Sequence, residues 1–109
     1  MKSIARVILS AAVLFYAAPL LAAGDAAAGK DVYTKKCASC HGAAGEGKDA
    51  IAKMMKVELR HLGSKETHAK TDADLKKAAV EGIGKMKPVK DLDAKAADDV
   101  VAYLRTLKK

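Results

Sequence analysis

Residues 37–41, Cys37-Ala38-Ser39-Cys40-His41, place two thiols and an imidazole in five consecutive positions, and Gly42-Ala43-Ala44-Gly45-Glu46-Gly47-Lys48-Asp49 follows at once. Side chains of these types at this spacing admit several chemistries: a phosphate loop, half a zinc site, a redox dithiol, a structural disulfide, or an anchor for haem. The glycine-rich part satisfies G-x-x-x-x-G-K. However, Asp49 stands where a hydroxyl should meet Mg²⁺, Glu46 would set negative charge beside the phosphates, and no strand precedes it. A zinc site needs about four ligands, and only His61 and His68 remain to join Cys37 and Cys40; six residues separate them where about three to five are usual. A thioredoxin-like dithiol belongs beside a βαβ pattern that this chain lacks. A plain disulfide gives His41 nothing to do.

The start of the chain bears on the choice. Lys2 and Arg6 lead into an apolar run from Val7 to Leu21 and then into Ala22-Ala23-Gly24, the pattern of a secretory signal peptide. The run is shorter than the roughly 20 residues of a spanning helix and carries Pro19 near its end. Cleavage is expected after Ala23, which divides the chain into a signal peptide, 1–23, and one domain, 24–109, exported to the periplasm. That domain retains only Tyr33 and Tyr103 as aromatic side chains. So small a core calls for a disulfide, a metal or another staple.

Haem attachment uses all three residues and answers the core problem. Thiols at i and i+3 lie on one face of a helical turn and can add to the two vinyl groups of a haem, with the adjacent His41 directed at the iron. A bound porphyrin also supplies the apolar surface that the side chains lack. Charge adds little: the chain carries +7, and its lysines are dispersed among acids without the basic, aromatic-interleaved stripe that nucleic acid would want.

The elements that must hold these residues read as helices. Asp93 can cap a last helix whose apolar positions Ala96, Val100, Tyr103, Leu104 and Leu107 recur at three- and four-residue steps. Thr71-Asp72-Ala73-Asp74 has capping-box spacing and opens a short helix that stops near Gly82. Ala26 to about Cys40 reads as a first helix in which Gly29, lacking a side chain, lets another helix approach beside Tyr33; the Ala/Tyr face of the last helix is the expected partner. No segment alternates as a strand does. The expectation is an all-α domain with long loops over 42–70 and 82–92.

These features together resemble the class I c-type cytochromes, particularly the small bacterial monohaem ones. The resemblance rests on Gly29 and Tyr33, on Cys37-Ala38-Ser39-Cys40-His41, on Gly82-Ile83-Gly84-Lys85-Met86-Lys87-Pro88, and on Val100-Val101-Ala102-Tyr103-Leu104. It implies terminal helices that cross, one covalent haem c held through Cys37 and Cys40, and iron ligated by His41 and Met86. Two departures stand out. Lys87 intervenes between Met86 and Pro88, where the family usually has Met-Pro. The proline that commonly follows the haem motif is also missing, so a carbonyl between Val57 and Leu59 is expected to accept the His41 ring N–H.

Met54, Met55, His61 and His68 compete with Met86 for the second axial position. Met86 has the advantage of lying between Gly84 and Pro88, in a loop that cannot be helical past Lys87. Histidine plus thioether favours a relatively high reduction potential and leaves no coordination position open. The expected function is therefore one-electron transfer by a monomeric carrier without catalytic residues. The alternative is a peroxidase or gas sensor with a labile sixth position. Lys36, Lys48, Lys85 and Lys87 could steer such a carrier to redox partners with acidic docking surfaces.

Overall fold

A computed structural model describes residues 24–109; the expected signal peptide, 1–23, lies outside the described residues. The Asp25 carboxylate accepts from the backbone N–H groups of Ala27 and Ala28 and so opens α1, Ala26–Lys36. The expected continuation to Cys40 does not occur. Cys37 leaves ideal helical geometry at φ −117°, and one further turn, α2, runs Ala38–His41. The long loop expected over 42–70 holds two more short helices, α3, Asp49–Met55, and α4, Lys65–His68. Then come α5, Asp72–Glu81, and α6, Ala94–Leu104. Their caps are those read from the sequence: Thr71 Oγ1 accepts from Asp74 N–H and the Asp93 carboxylate from Ala96 N–H. Among the described residues there is no strand, only an isolated bridge between Ile83 and Met86.

The packing centre is the crossing of α1 and α6. Tyr33, 1% exposed, meets Tyr103 with ring centroids 5.2 Å apart at an interplanar angle of 55°, within the tilted range aromatic pairs prefer. Ala97, Val100 and Val101 are buried on the facing side of α6, with Leu75 of α5 and Leu107 beyond it. Asp99, buried in the same crossing, accepts from Asp25 N–H at 2.8 Å and from Lys95 Nζ at 2.8 Å. Those two donors hold its carboxyl below the usual range. Farther along, Arg105 donates to the carbonyls of His68 and Lys70 and to the Asp72 carboxylate, fastening the α4–α5 corner to the end of α6.

Gly29 sets how close the crossing can be. A Cβ placed there would lie 1.9 Å from the Asp99 carbonyl oxygen and 3.0 Å from Tyr103 Cβ. Alanine gains about 1 kcal/mol of helix propensity over glycine, but so severe an overlap with backbone forces the helices apart, at about 3 kcal/mol or more. The clash wins. Gly29→Ala in the haem-loaded protein is expected to lower Tm by about 10 °C or more; an unchanged Tm in thermal unfolding would show that the crossing can widen freely.

Candidate functional site

Cys37, Cys40 and His41 share one turn because α1 ends at Cys37 and α2 begins immediately. Cys37 N–H still bonds to the Tyr33 carbonyl at 2.8 Å, and the Cys37 carbonyl accepts from both Cys40 N–H and His41 N–H. Both thiols are free and half-buried. Burial pushes the Cys37 thiol up to about 11, with the Lys36 charge pulling weakly the other way. At neutral pH it is therefore a protonated thiol, the opposite of the acidified thiolate of a reactive redox cysteine. The His41 imidazole is shifted down by desolvation alone and is neutral.

His41 Nδ1 is buried and has no hydrogen-bond partner. The carbonyls of Val57 to Leu59 were expected to orient this ring, and none of them does. The loop after the histidine is tied elsewhere: Gly47 N–H donates to the His41 carbonyl at 2.7 Å, Lys48 N–H to Cys40 at 3.0 Å, and Leu62 N–H to Gly45 at 2.8 Å. Tyr33 Oη donates to the Gly42 carbonyl at 2.5 Å, and burial raises its pKa well above the ordinary phenol value. Glu46 turns its carboxylate onto Ala44 N–H at 2.8 Å. The N–H groups that would cradle a phosphate, those of Ala44, Gly45, Gly47 and Lys48, are thus already bonded within the protein.

The other candidate ligands are distributed unevenly. His61 Nδ1 accepts from Gly63 N–H at 2.9 Å, and His68 Nε2 lies 3.1 Å from the Leu104 carbonyl, so each imidazole has one ring nitrogen engaged. Met54 projects from α3 with 71% of its surface exposed; Met55 is half-buried at the end of the same helix. Among the described residues, no three His, Cys, Asp or Glu side chains gather as the ligands of a zinc ion would.

Met86 closes a tight turn. Ile83 and Met86 exchange both backbone hydrogen bonds, at 3.0 and 2.9 Å. Gly84 sits between them at φ +57°, the conformation that the first central position of a type II′ turn demands of glycine. The base of the turn is fixed to α5 by Val89 N–H on the Ala79 carbonyl at 2.9 Å, and its tip to α3 by Lys85 Nζ on the Met55 carbonyl at 2.9 Å. Lys36 Nζ reaches from α1 to the Lys90 carbonyl at 2.8 Å. Two of the four lysines expected to act as steering charges therefore also serve as cross-links. Sequence reasoning missed the Lys85 bond because it missed α3, whose last carbonyls supply the acceptor.

The chemistry of this donor set fits covalent haem. Two unbridged thiols stand one turn apart beside a neutral imidazole whose sealed Nδ1 lacks a partner, and a thioether is carried on a separate, braced loop.

The family profile described as Cytochrome c matches residues 26–108. Cytochrome c-554(547) of Halothiobacillus neapolitanus is 36% identical over 94 residues, which cover 79% of this chain and all of that protein. Among solved structures, the KustC0563 c-type cytochrome superposes with a TM-score of 0.63 at 25% identity, covering 74% of this chain and 98% of its own. Cytochrome cL from Hyphomicrobium denitrificans superposes with a TM-score of 0.59 at 26% identity, over 77% of this chain and 48% of its own length.

Proposed function

The chain belongs to the cytochrome c family, as a class I c-type cytochrome with covalent haem c, and from that premise we propose that it is an exported, monomeric one-electron carrier with His41 and Met86 as axial ligands. Cys37 and Cys40 form the thioether links. Haem so ligated supplies a one-electron couple and, with both axial positions taken, no place for a substrate to coordinate. The observation that carries this reading is the single turn on which two free thiols precede a half-buried, neutral imidazole whose buried Nδ1 has no partner.

The chain's own residues do the rest. Burial keeps His41 neutral and available as a donor. The Ile83–Met86 turn and the Lys85 and Val89 bonds hold the Met86 backbone against α3 and α5. That bracing favours a closed carrier over the rival reading of a peroxidase or gas sensor, which needs Met86 to leave. His61 and His68, each engaged through a ring nitrogen, are weaker competitors for the position. An N-terminal leader over 1–23 would deliver the chain to the periplasm, and no helix among the described residues is long and apolar enough to cross a membrane.

Redox partners with acidic docking surfaces fit the lysines. Lys48 and Lys87 are exposed, and so are Lys36 and Lys85 although each donates to a carbonyl. The protein should exchange single electrons reversibly with an anionic small-molecule acceptor. The second-order rate should fall several-fold as ionic strength rises past 0.1 M, where charges are screened beyond ~10 Å. Stopped-flow measurement decides: a rate indifferent to salt removes the steering role, and the absence of reversible one-electron exchange removes the carrier.

A further inference from the structure

The displaced proline leaves a physical question: what stiffens the Met86 loop? A proline restrains the residue before it, and here that residue is Lys87, so Met86 itself receives no such restraint. Its turn is short, and Gly84 at the tip has no atom near the place where a Cβ would stand. One side-chain bond holds that tip to another element. Lys85 Nζ donates to the Met55 carbonyl at 2.9 Å across thirty residues of sequence.

The acceptor is well made for a cation. Met55 is the last residue of α3, and Lys56 follows in the left-handed region at φ +54° with its N–H turned back onto the Ala52 and Lys53 carbonyls. The Met55 carbonyl is among the four at a helix end without an intrahelical partner. An ammonium there completes it with a charge-assisted hydrogen bond and meets the negative end of the helix dipole.

We infer that Lys85 is a positioning residue for Met86, its bond to the end of α3 doing for this loop what an adjacent proline would otherwise do. The inference rests on Met86 being the axial ligand. Releasing the tie frees the turn to swing as a unit, so that the thioether leaves the iron more often while the α1–α6 crossing, which Lys85 does not touch, stays intact.

Lys85→Met keeps the apolar stem and removes the donor; Lys85→Arg restores a donor of the same charge; Lys87→Met removes a neighbouring charge and leaves the bond. Each haem-loaded protein is to be measured for CO association to the reduced form, the red-end Met-to-iron charge-transfer band of the oxidised form, and Tm. Hydrogen exchange is to be followed at the Met86 amide. In Lys85→Met, CO association should rise at least about tenfold, the scale of losing one hydrogen bond to a charged group. The band should weaken and the Met86 amide should exchange faster, with Tm little changed. Lys85→Arg and Lys87→Met should stay within about twofold of the unmutated protein. If the unmutated protein has the band and Lys85→Met keeps both band and CO resistance, the positioning role is wrong. The same follows if Lys87→Met matches Lys85→Met, since charge alone would then account for the change. An unmutated protein without the band overturns the Met86 assignment itself, and this inference with it.

Discussion

Replacing Cys37 and Cys40 together by alanine is expected to yield a chain that is largely disordered at 25 °C, with most of its far-ultraviolet helical signal gone and no cooperative melt. The apolar side chains buried among the described residues are Tyr33, Leu75, Ala97, Val100, Val101 and Leu107. Three of the six are alanine or valine. Elsewhere large apolar groups stand exposed, with Ile83 and Val80 beside Met54, and neither thiol is committed to a disulfide. A domain of this length buries a low fraction of its surface and ordinarily depends on a staple. The porphyrin is that staple, and without thioethers it is held by axial ligation alone, too weakly to order the chain. Acid–acetone extraction should strip haem from the double variant and leave it on the unmutated protein. A helical, cooperatively melting haem-free chain would show instead that the α1–α6 crossing is self-sufficient.

Met86→Ala is expected to produce the largest change in the chemistry of the site without unfolding it. The side chain is half-buried in a loop, outside the packing of Tyr33 on Tyr103, so its truncation leaves the helix crossing in place. Loss of the thioether should abolish the charge-transfer band and lower the reduction potential by on the order of 0.1 V, well inside the ~0.8 V range that axial ligands span. It should also admit CO to the reduced protein and let the oxidised protein turn over peroxide. His61→Ala and His68→Ala should do none of this, because their rings are engaged with the Gly63 N–H and the Leu104 carbonyl. Potentiometry on the three variants separates the candidates. A potential unchanged in Met86→Ala and lowered in either histidine variant would move the ligand to that histidine.

The parts of this fold that were legible in the sequence are those where local chemistry and global packing agree. Asp93 and Thr71 announce α6 and α5 because a side-chain oxygen at the cap satisfies an N–H that the helix leaves unpaired. Gly29 and Tyr33 announced the crossing because only a missing side chain lets a backbone come as near as Asp99 does. Helix α3 was not legible. Lys48 provides no side-chain cap, and the helix ends on Lys56, a lysine in the left-handed region where a glycine would have given warning. Helix α4 is a single turn whose one signal, Ser64 capping Thr67 N–H, is spread over residues that also suit a loop. The break at Cys37 falls in a stretch, residues 30–40, that holds neither glycine nor proline.

The site divides the same way. The spacing of Cys37, Cys40 and His41 was read as one turn of helix, and the structure brings all three onto one turn. The bonds that brace the Met86 loop were not, since they join Lys85 to Met55 and Lys36 to Lys90, residues that only the tertiary fold brings together. For that reason the lysines were read as steering charges alone, when two of them also fasten loops. The carbonyl expected to orient His41 was an extrapolation from a missing proline, and Nδ1 has no such partner.

With His41 and Met86 both bound, the iron would be closed on both sides and would carry electrons without binding a substrate. Addition of CO to the reduced, unmutated protein, followed by visible absorption, decides whether it is. A closed iron gives a spectrum that stays unchanged on mixing. Rapid conversion to a CO-bound spectrum would contradict it and make ligand binding at the iron the function of this protein.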